Sequence, residues 1–147
     1  MKNKTILLVE DNQDDEDLTL RAFRLNNVQS NVVVKRDGAE ALNFLLGAGD
    51  CSGNTASGPS PAIVLLDLKL PKIDGLGVLQ RIRADKRLRL LPVVMLTSST
   101  EDRDIAEAYR LGANSYVRKP VEFSRLLDVM QQLGAYWLCL NQPPPLS

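Results

Sequence analysis

Short runs of β-branched and leucine residues alternate along this chain with longer segments whose apolar residues recur at helical spacing, and that alternation leaves few folds open. Thr5-Ile6-Leu7-Leu8-Val9 has strand length and ends in an acidic cluster. Asp14 to Asn26 reads as a helix with Leu18, Ala22 and Leu25 on one face and acids in its first turn, where the helix dipole favours them. Asn26-Asn27 breaks it, Val32-Val33-Val34 is a second strand, and Ala39 to Leu46 is a second helix. Ile63-Val64-Leu65-Leu66 is the most apolar strand, and Leu76, Leu79, Ile82 and Arg83 mark a third helix after Asp74-Gly75. Val93 to Leu96 forms a fourth strand and runs into Thr97-Ser98-Ser99-Thr100. Ser99 or Thr100 is placed to cap the next helix, which Gly112 ends. Ser115 to Arg118 is a fifth strand, and Phe123, Leu126, Leu127, Met130 and Leu133 stripe a last helix. The expected fold is α/β: a doubly wound, five-stranded parallel sheet with helices on both faces.

One domain is expected over residues 1–141, with a flexible loop insertion at 47–61 and a proline-rich tail at 142–147. The 47–61 stretch is almost devoid of apolar residues, and neither flank could build a core alone. No output domain is expected after the last helix. Met1 to Lys4 leads into a strand too short to be a signal peptide or a membrane span, so a cytoplasmic protein without a membrane partner is expected.

Composition removes several chemistries. The 147 residues carry 18 basic and 18 acidic side chains, without the excess of cations that a general nucleic-acid surface needs. Cys51 and Cys139 lie far apart and have no zinc-site spacing. Histidine is absent, which rules out a histidine triad, a histidine metal ligand and a phosphohistidine on this chain. Carboxylates, hydroxyls, amines and a hard metal ion remain.

In such sheets ligands bind at the carboxyl ends of the strands. Strand 1 ends in Glu10-Asp11, strand 3 in Asp67, strand 4 in Thr97 and strand 5 in Lys119. Each alone has a plain structural use as a turn residue, a cap or a surface lysine. Gathered at one sheet edge, the carboxylates would repel one another unless a cation sat among them. Mg²⁺ suits an all-oxygen site that keeps room for water and a phosphate oxygen. A carboxylate can take a phosphoryl group as an acyl phosphate, with Mg²⁺, the Lys119 ammonium and the Thr97 hydroxyl sharing the charge.

With these residues in view, the sequence resembles the receiver domain of the two-component response-regulator family over almost its whole length. The segments that carry the resemblance are Leu8-Val9-Glu10-Asp11-Asn12, Leu66-Asp67-Leu68-Lys69-Leu70-Pro71, Asp74-Gly75, Leu96-Thr97-Ser98, Gly112-Ala113 and Tyr116-Val117-Arg118-Lys119-Pro120. The resemblance implies a flavodoxin-like sheet in the order 2-1-3-4-5. It implies Asp67 as phosphoacceptor and metal ligand, Glu10 and Asp11 as metal-site acids, and the backbone carbonyl of Lys69 as a further ligand. Thr97 and Lys119 would contact the phosphoryl group, Tyr116 would change rotamer with Thr97, and the Lys119–Pro120 bond would be cis.

The expected function is a phosphorylation-dependent switch rather than an enzyme. It would receive its phosphoryl group from a histidine kinase and then dock on a downstream protein or pass the group on. The 47–61 loop, the Asp-rich start of helix 1, and the ending Tyr136-Trp137-Leu138 resemble the small regulators paired with bacterial phytochrome kinases. That likeness implies a homodimer and a phytochrome-type kinase. Tyr136, Trp137, Leu138 and Leu140 would either cover their own domain or meet another subunit. The competing reading is an unphosphorylated receiver-like scaffold. A flavodoxin-like cofactor binder would need phosphate-cradling loops, and an aspartyl phosphatase would need an acid where Lys69 stands.

Overall fold

In the computed structural model residues 4–26, 30–47 and 61–145 are described. Strands β1 (Lys4–Val9), β2 (Ser30–Lys35), β3 (Ile63–Leu66), β4 (Val93–Thr97) and β5 (Ser115–Arg118) alternate with five helices. These are α1 (Gln13–Leu25), α2 (Gly38–Leu46), α3 (Gly75–Ala84), α4 (Asp102–Arg110) and α5 (Phe123–Gly134). All strand pairs are parallel, and the order is β2-β1-β3-β4-β5, as expected. Most of the 47–61 loop, residues 48–60, lies outside the described residues.

Alternation along the central strands builds two cores. Leu7, Val9, Val64, Leu66, Val93 and Met95 face one way, against Ala41, Leu42, Val78, Leu79, Ile82 and Ala108 of α2, α3 and α4. Their neighbours Ile6, Leu8, Ile63, Leu65, Val94 and Leu96 face the other way, against Ala22 and Phe23 of α1 and Leu126 and Met130 of α5. Burial on both faces explains why these strands read as unbroken apolar runs. The order reverses between β1 and β3, which places a crevice above their carboxyl ends.

Local chemistry sets the element ends near that crevice. Asn12 caps α1 by accepting from Asp15 N, and Asp74 caps α3 by accepting from Gly77 N. Gly75 is required because a Cβ there would stand 2.1 Å from the carbonyl oxygen of Asp67. Gly112 follows the C-cap of α4 at φ 107°, where the amides of Gly112 and Ala113 bond Tyr109 O and Ala108 O.

Three expectations are corrected. The buried face of α1 is Thr19, Ala22 and Phe23 with Glu16, whereas Leu18 and Leu25 are exposed. Thr19 and Glu16 are polar, yet Glu16 is held by both Nε and Nη2 of Arg36, which allows its burial. The cap of α4 is Glu101, and it makes no side-chain cap bond; Ser99 accepts from Glu101 N but donates to Asp104. The Lys119–Pro120 bond is trans, as are all described peptide bonds. The sheet ladder itself carries residue 119 to the crevice, through Lys119 N donating to Thr97 O at 2.8 Å.

Candidate functional site

The crevice is a cleft of about 800 Å³ lined by Glu10, Asp11, Asp67, Lys69, Thr97 and Lys119, among others. Each expected site residue therefore reaches one place, with Tyr116 just behind it. Glu10 and Asp11 follow β1, Asp67 follows β3, and Thr97 ends β4. Strand pairing brings them together, since Glu10 N donates to Lys35 O and Asp67 N to Val9 O beyond the last strand residues.

Carboxylate oxygens of Glu10, Asp11 and Asp67 lie within 4.8 Å of one another. Glu10 is 2% exposed and Asp67 9%, while Asp11 faces solvent. Into this cluster comes the Lys119 ammonium, 2.5 Å from Glu10 Oε1, 3.0 Å from Asp15 Oδ2 and 3.3 Å from Asp67 Oδ2. Asp67 Oδ1 accepts from the Leu68 amide at 2.7 Å, which fixes the carboxylate's rotation. The Glu10 carboxylate also accepts from Asn12 N at 3.2 Å.

Charge and burial oppose each other here. Burial pushes Glu10 up to about 7, with the Asp67 charge adding to it, although the hydrogen bond from Lys119 pulls the other way. For Lys119, burial disfavours the ammonium, but the bond to Glu10 and the charge of Asp67 outweigh it. Its pKa stands above the usual lysine range, so Lys119 is a permanent cation. One cation among Glu10, Asp11, Asp15 and Asp67 leaves the cluster net negative. An all-oxygen, net-negative cluster of this spacing fits a hard divalent cation and offers nothing to a soft one. Lys69 lines the same cleft.

Across the cleft, Thr97 is 3% exposed, and its Oγ1 accepts from Ser99 N at 3.3 Å. Tyr116 sits on the edge strand β5, packs on the α3-side core, and donates its hydroxyl to Ser99 O at 3.0 Å. Burial raises the Tyr116 pKa, so the phenol stays a donor.

Two functional neighbours escaped the sequence reading. Asp15 reads as one of several acids in the first turn of α1 that the helix dipole favours. Its signal is the spacing: three residues after the cap Asn12, it stands on the helix turn that leaves the pocket. Asp104 bonds Ser99 from α4, and no local motif marks that pair.

Comparison with known proteins accords with this geometry. A family model described as the response regulator receiver domain matches residues 6–131. The probable methanogenesis regulatory protein FilR2 of Methanothrix harundinacea is 42% identical, covering 95% of this chain and 86% of its own. Response regulator Rcp1 of Synechocystis is 35% identical over 92% of this chain and 89% of its own length. The phosphorylated cyanobacterial phytochrome response regulator RcpA superposes with a TM-score of 0.88 at 37% identity, covering 98% of this chain and all of RcpA. An Mn²⁺-bound form of Rcp1 superposes with a TM-score of 0.83, covering 97% of this chain and 99% of Rcp1.

Proposed function

The chain belongs to the response-regulator receiver family, and from that premise we propose that Asp67 is the side chain that accepts the phosphoryl group. The observation that carries this reading is the Lys119 ammonium 3.3 Å from Asp67 Oδ2, within an oxygen cluster shared with Glu10 and Asp11. The donor is a partner histidine kinase, because this chain has no histidine of its own. An oxygen of Asp67 attacks phosphorus while the phosphorus–nitrogen bond to the donor imidazole breaks, leaving an acyl phosphate on Asp67 and a free imidazole on the kinase. Lys119 and the Thr97 hydroxyl neutralise the phosphoryl oxygens on their side of the cleft. A divalent ion held by Glu10, Asp11, Asp67 and the Lys69 carbonyl would neutralise the remainder, and Mg²⁺ is the ion we assign to that place.

The product is a modified side chain, so the protein is a signalling switch with no turnover substrate of its own. Tyr116 follows the movement of Thr97 and reports it to the α4–β5 surface. From there the signal passes to a docking protein or a further phosphotransfer partner. The likeness to RcpA, a phytochrome response regulator, favours a phytochrome-type kinase, and the exposed Tyr136 and Leu140 are the surface we assign to a homodimer. Among the described residues no helix is long and apolar enough to cross a membrane, and we place the protein in the cytoplasm beside its kinase.

Incubation with Mg²⁺ and acetyl phosphate, followed by intact-mass measurement, tests the assignment. The native chain gains one acid-labile phosphoryl group and Asp67→Asn gains none. No adduct on the native chain, or an equal adduct on Asp67→Asn, sinks it and leaves the unphosphorylated scaffold.

A further inference from the structure

Ser99 gathers four hydrogen bonds in the loop between β4 and α4. Its amide donates to Thr97 Oγ1 at 3.3 Å, and its carbonyl accepts the Tyr116 hydroxyl at 3.0 Å. Its own hydroxyl accepts from Glu101 N at 3.3 Å and donates to Asp104 Oδ2 at 2.6 Å. Three of the four are ordinary bonds between neutral groups. The fourth has an ionised acceptor and is short, which makes it the strongest of the set. Asp104 is in the first turn of α4, where the helix dipole favours a carboxylate.

We infer that Asp104 is a positioning residue that, through Ser99, holds the β4–α4 loop in its resting conformation and so sets how readily Thr97 reaches the phosphoryl group. This rests on the reading of Asp67 as the phosphoacceptor. To share phosphoryl charge, Thr97 must turn its hydroxyl toward Asp67. Its oxygen then leaves the Ser99 amide unless the loop follows. The loop follows only by breaking the Ser99–Asp104 bond, and Tyr116 moves with it because its hydroxyl is held on Ser99 O. The bond therefore counts wholly toward the resting state, and a ligand that needs the other state binds more weakly for it.

Beryllofluoride with Mg²⁺, titrated calorimetrically, probes the occupied state without a kinase. Asp104→Ala is expected to raise the affinity of the full-length chain about 10-fold, the scale of one charge-assisted hydrogen bond. Ser99→Ala also frees Glu101 N and should give at least the same rise, and the double variant no more than Ser99→Ala alone, since both single changes remove the Ser99–Asp104 bond. Asp104→Asn keeps a neutral acceptor and should give a smaller rise. Asp102→Ala is the control: it removes a first-turn acid of the same helix that, among the described residues, makes no side-chain bond to the loop, and its affinity should equal the native value. An unchanged or lowered affinity in Asp104→Ala, or an equal rise in Asp102→Ala, overturns the inference alone. A native chain that takes up no beryllofluoride overturns the phosphoacceptor reading and this inference with it.

Discussion

The Lys119 ammonium lies 3.3 Å from Asp67 Oδ2, although β3 and β5, the strands these residues follow, are separated by β4. The lysine spans that gap because its ammonium is also held by Glu10 and Asp15. Among the described residues it is the one cation paired with Glu10, Asp15 and Asp67. Lys119→Met should therefore destabilise the metal-free protein by about 2 kcal/mol. Loss of one partner from a buried pair usually costs more, about 3–5 kcal/mol, but here Glu10 can take up a proton instead. Urea unfolding with a chelator and with excess Mg²⁺ checks this. A divalent ion should restore much of the loss, and a variant as stable as the native chain in chelator would contradict the shared-cation account.

Glu10 has a folded pKa of about 7 against an ordinary value of 4.5. The folded state thus binds a proton that the unfolded state has released between these values. Its contribution is fully present below pH 4.5 and is lost as pH rises to about 7, so metal-free stability should fall across that window. Glu10→Gln lacks this slope. Urea midpoints for the two chains at pH 4.5, 5.5 and 7, without divalent ions, should diverge steadily, and parallel midpoints would count against a protonated Glu10. Because a protonated carboxyl is a poor ligand, Mn²⁺ affinity of the native chain should rise over the same window.

Arg83 makes a different kind of prediction, since among the described residues its guanidinium has no carboxylate partner. It donates to Gly112 O, Arg89 O, Leu91 O and Asn114 Oδ1, which joins α3 to the corner before β5. Asn114 Oδ1 in turn accepts from Val93 N, at the start of β4. Arg83→Met should cost about 2 kcal/mol by leaving these acceptors short of donors. Arg83→Lys should recover little of it, because a single ammonium cannot reproduce the planar fork. Equal denaturation midpoints for native and Arg83→Lys chains would rule out the fork as the cause.

What could be read ahead of the structure follows from range. Strands buried on both faces announce themselves as unbroken apolar runs, and β3 begins and ends where the run Ile63–Leu66 does. The pocket was readable because parallel strands deliver their last residues to one edge whatever the loops do. Long-range polar partners were not readable. Glu16 is buried only because Arg36, twenty residues on, forks onto it, so the buried face lies about 100°, one residue step, round the wheel from the face expected at Leu18 and Leu25. Asp15 failed for the same reason, since it matters through a bond to Lys119 at the far end of the chain, whereas Asp104 reaches only five residues back to Ser99 and was hidden because no capping pattern has that spacing.

The segment after α5 divides in a way its apolar character alone does not reveal. Ala135–Leu140 continues the helix as a π-helix, whose wider turn redistributes its side chains. Trp137 and Leu138 turn inward and pack on the core that holds Ile6, Leu8 and Met130. Tyr136 and Leu140 stay 48% and 72% exposed, with the Tyr136 ring edge-on to Trp137 at 4.9 Å. The inward pair serves stability, and the outward pair is the surface proposed for a second copy. Trp137→Ala should then cost about 2 kcal/mol, less than a fully buried aromatic, because the ring is only partly covered. Tyr136→Ser combined with Leu140→Ser should leave the urea midpoint of the monomer nearly unchanged and convert a dimer to a monomer on gel filtration. A doubly substituted chain that still elutes as a dimer would move the interface elsewhere, and a native chain that elutes as a monomer at high concentration would remove it.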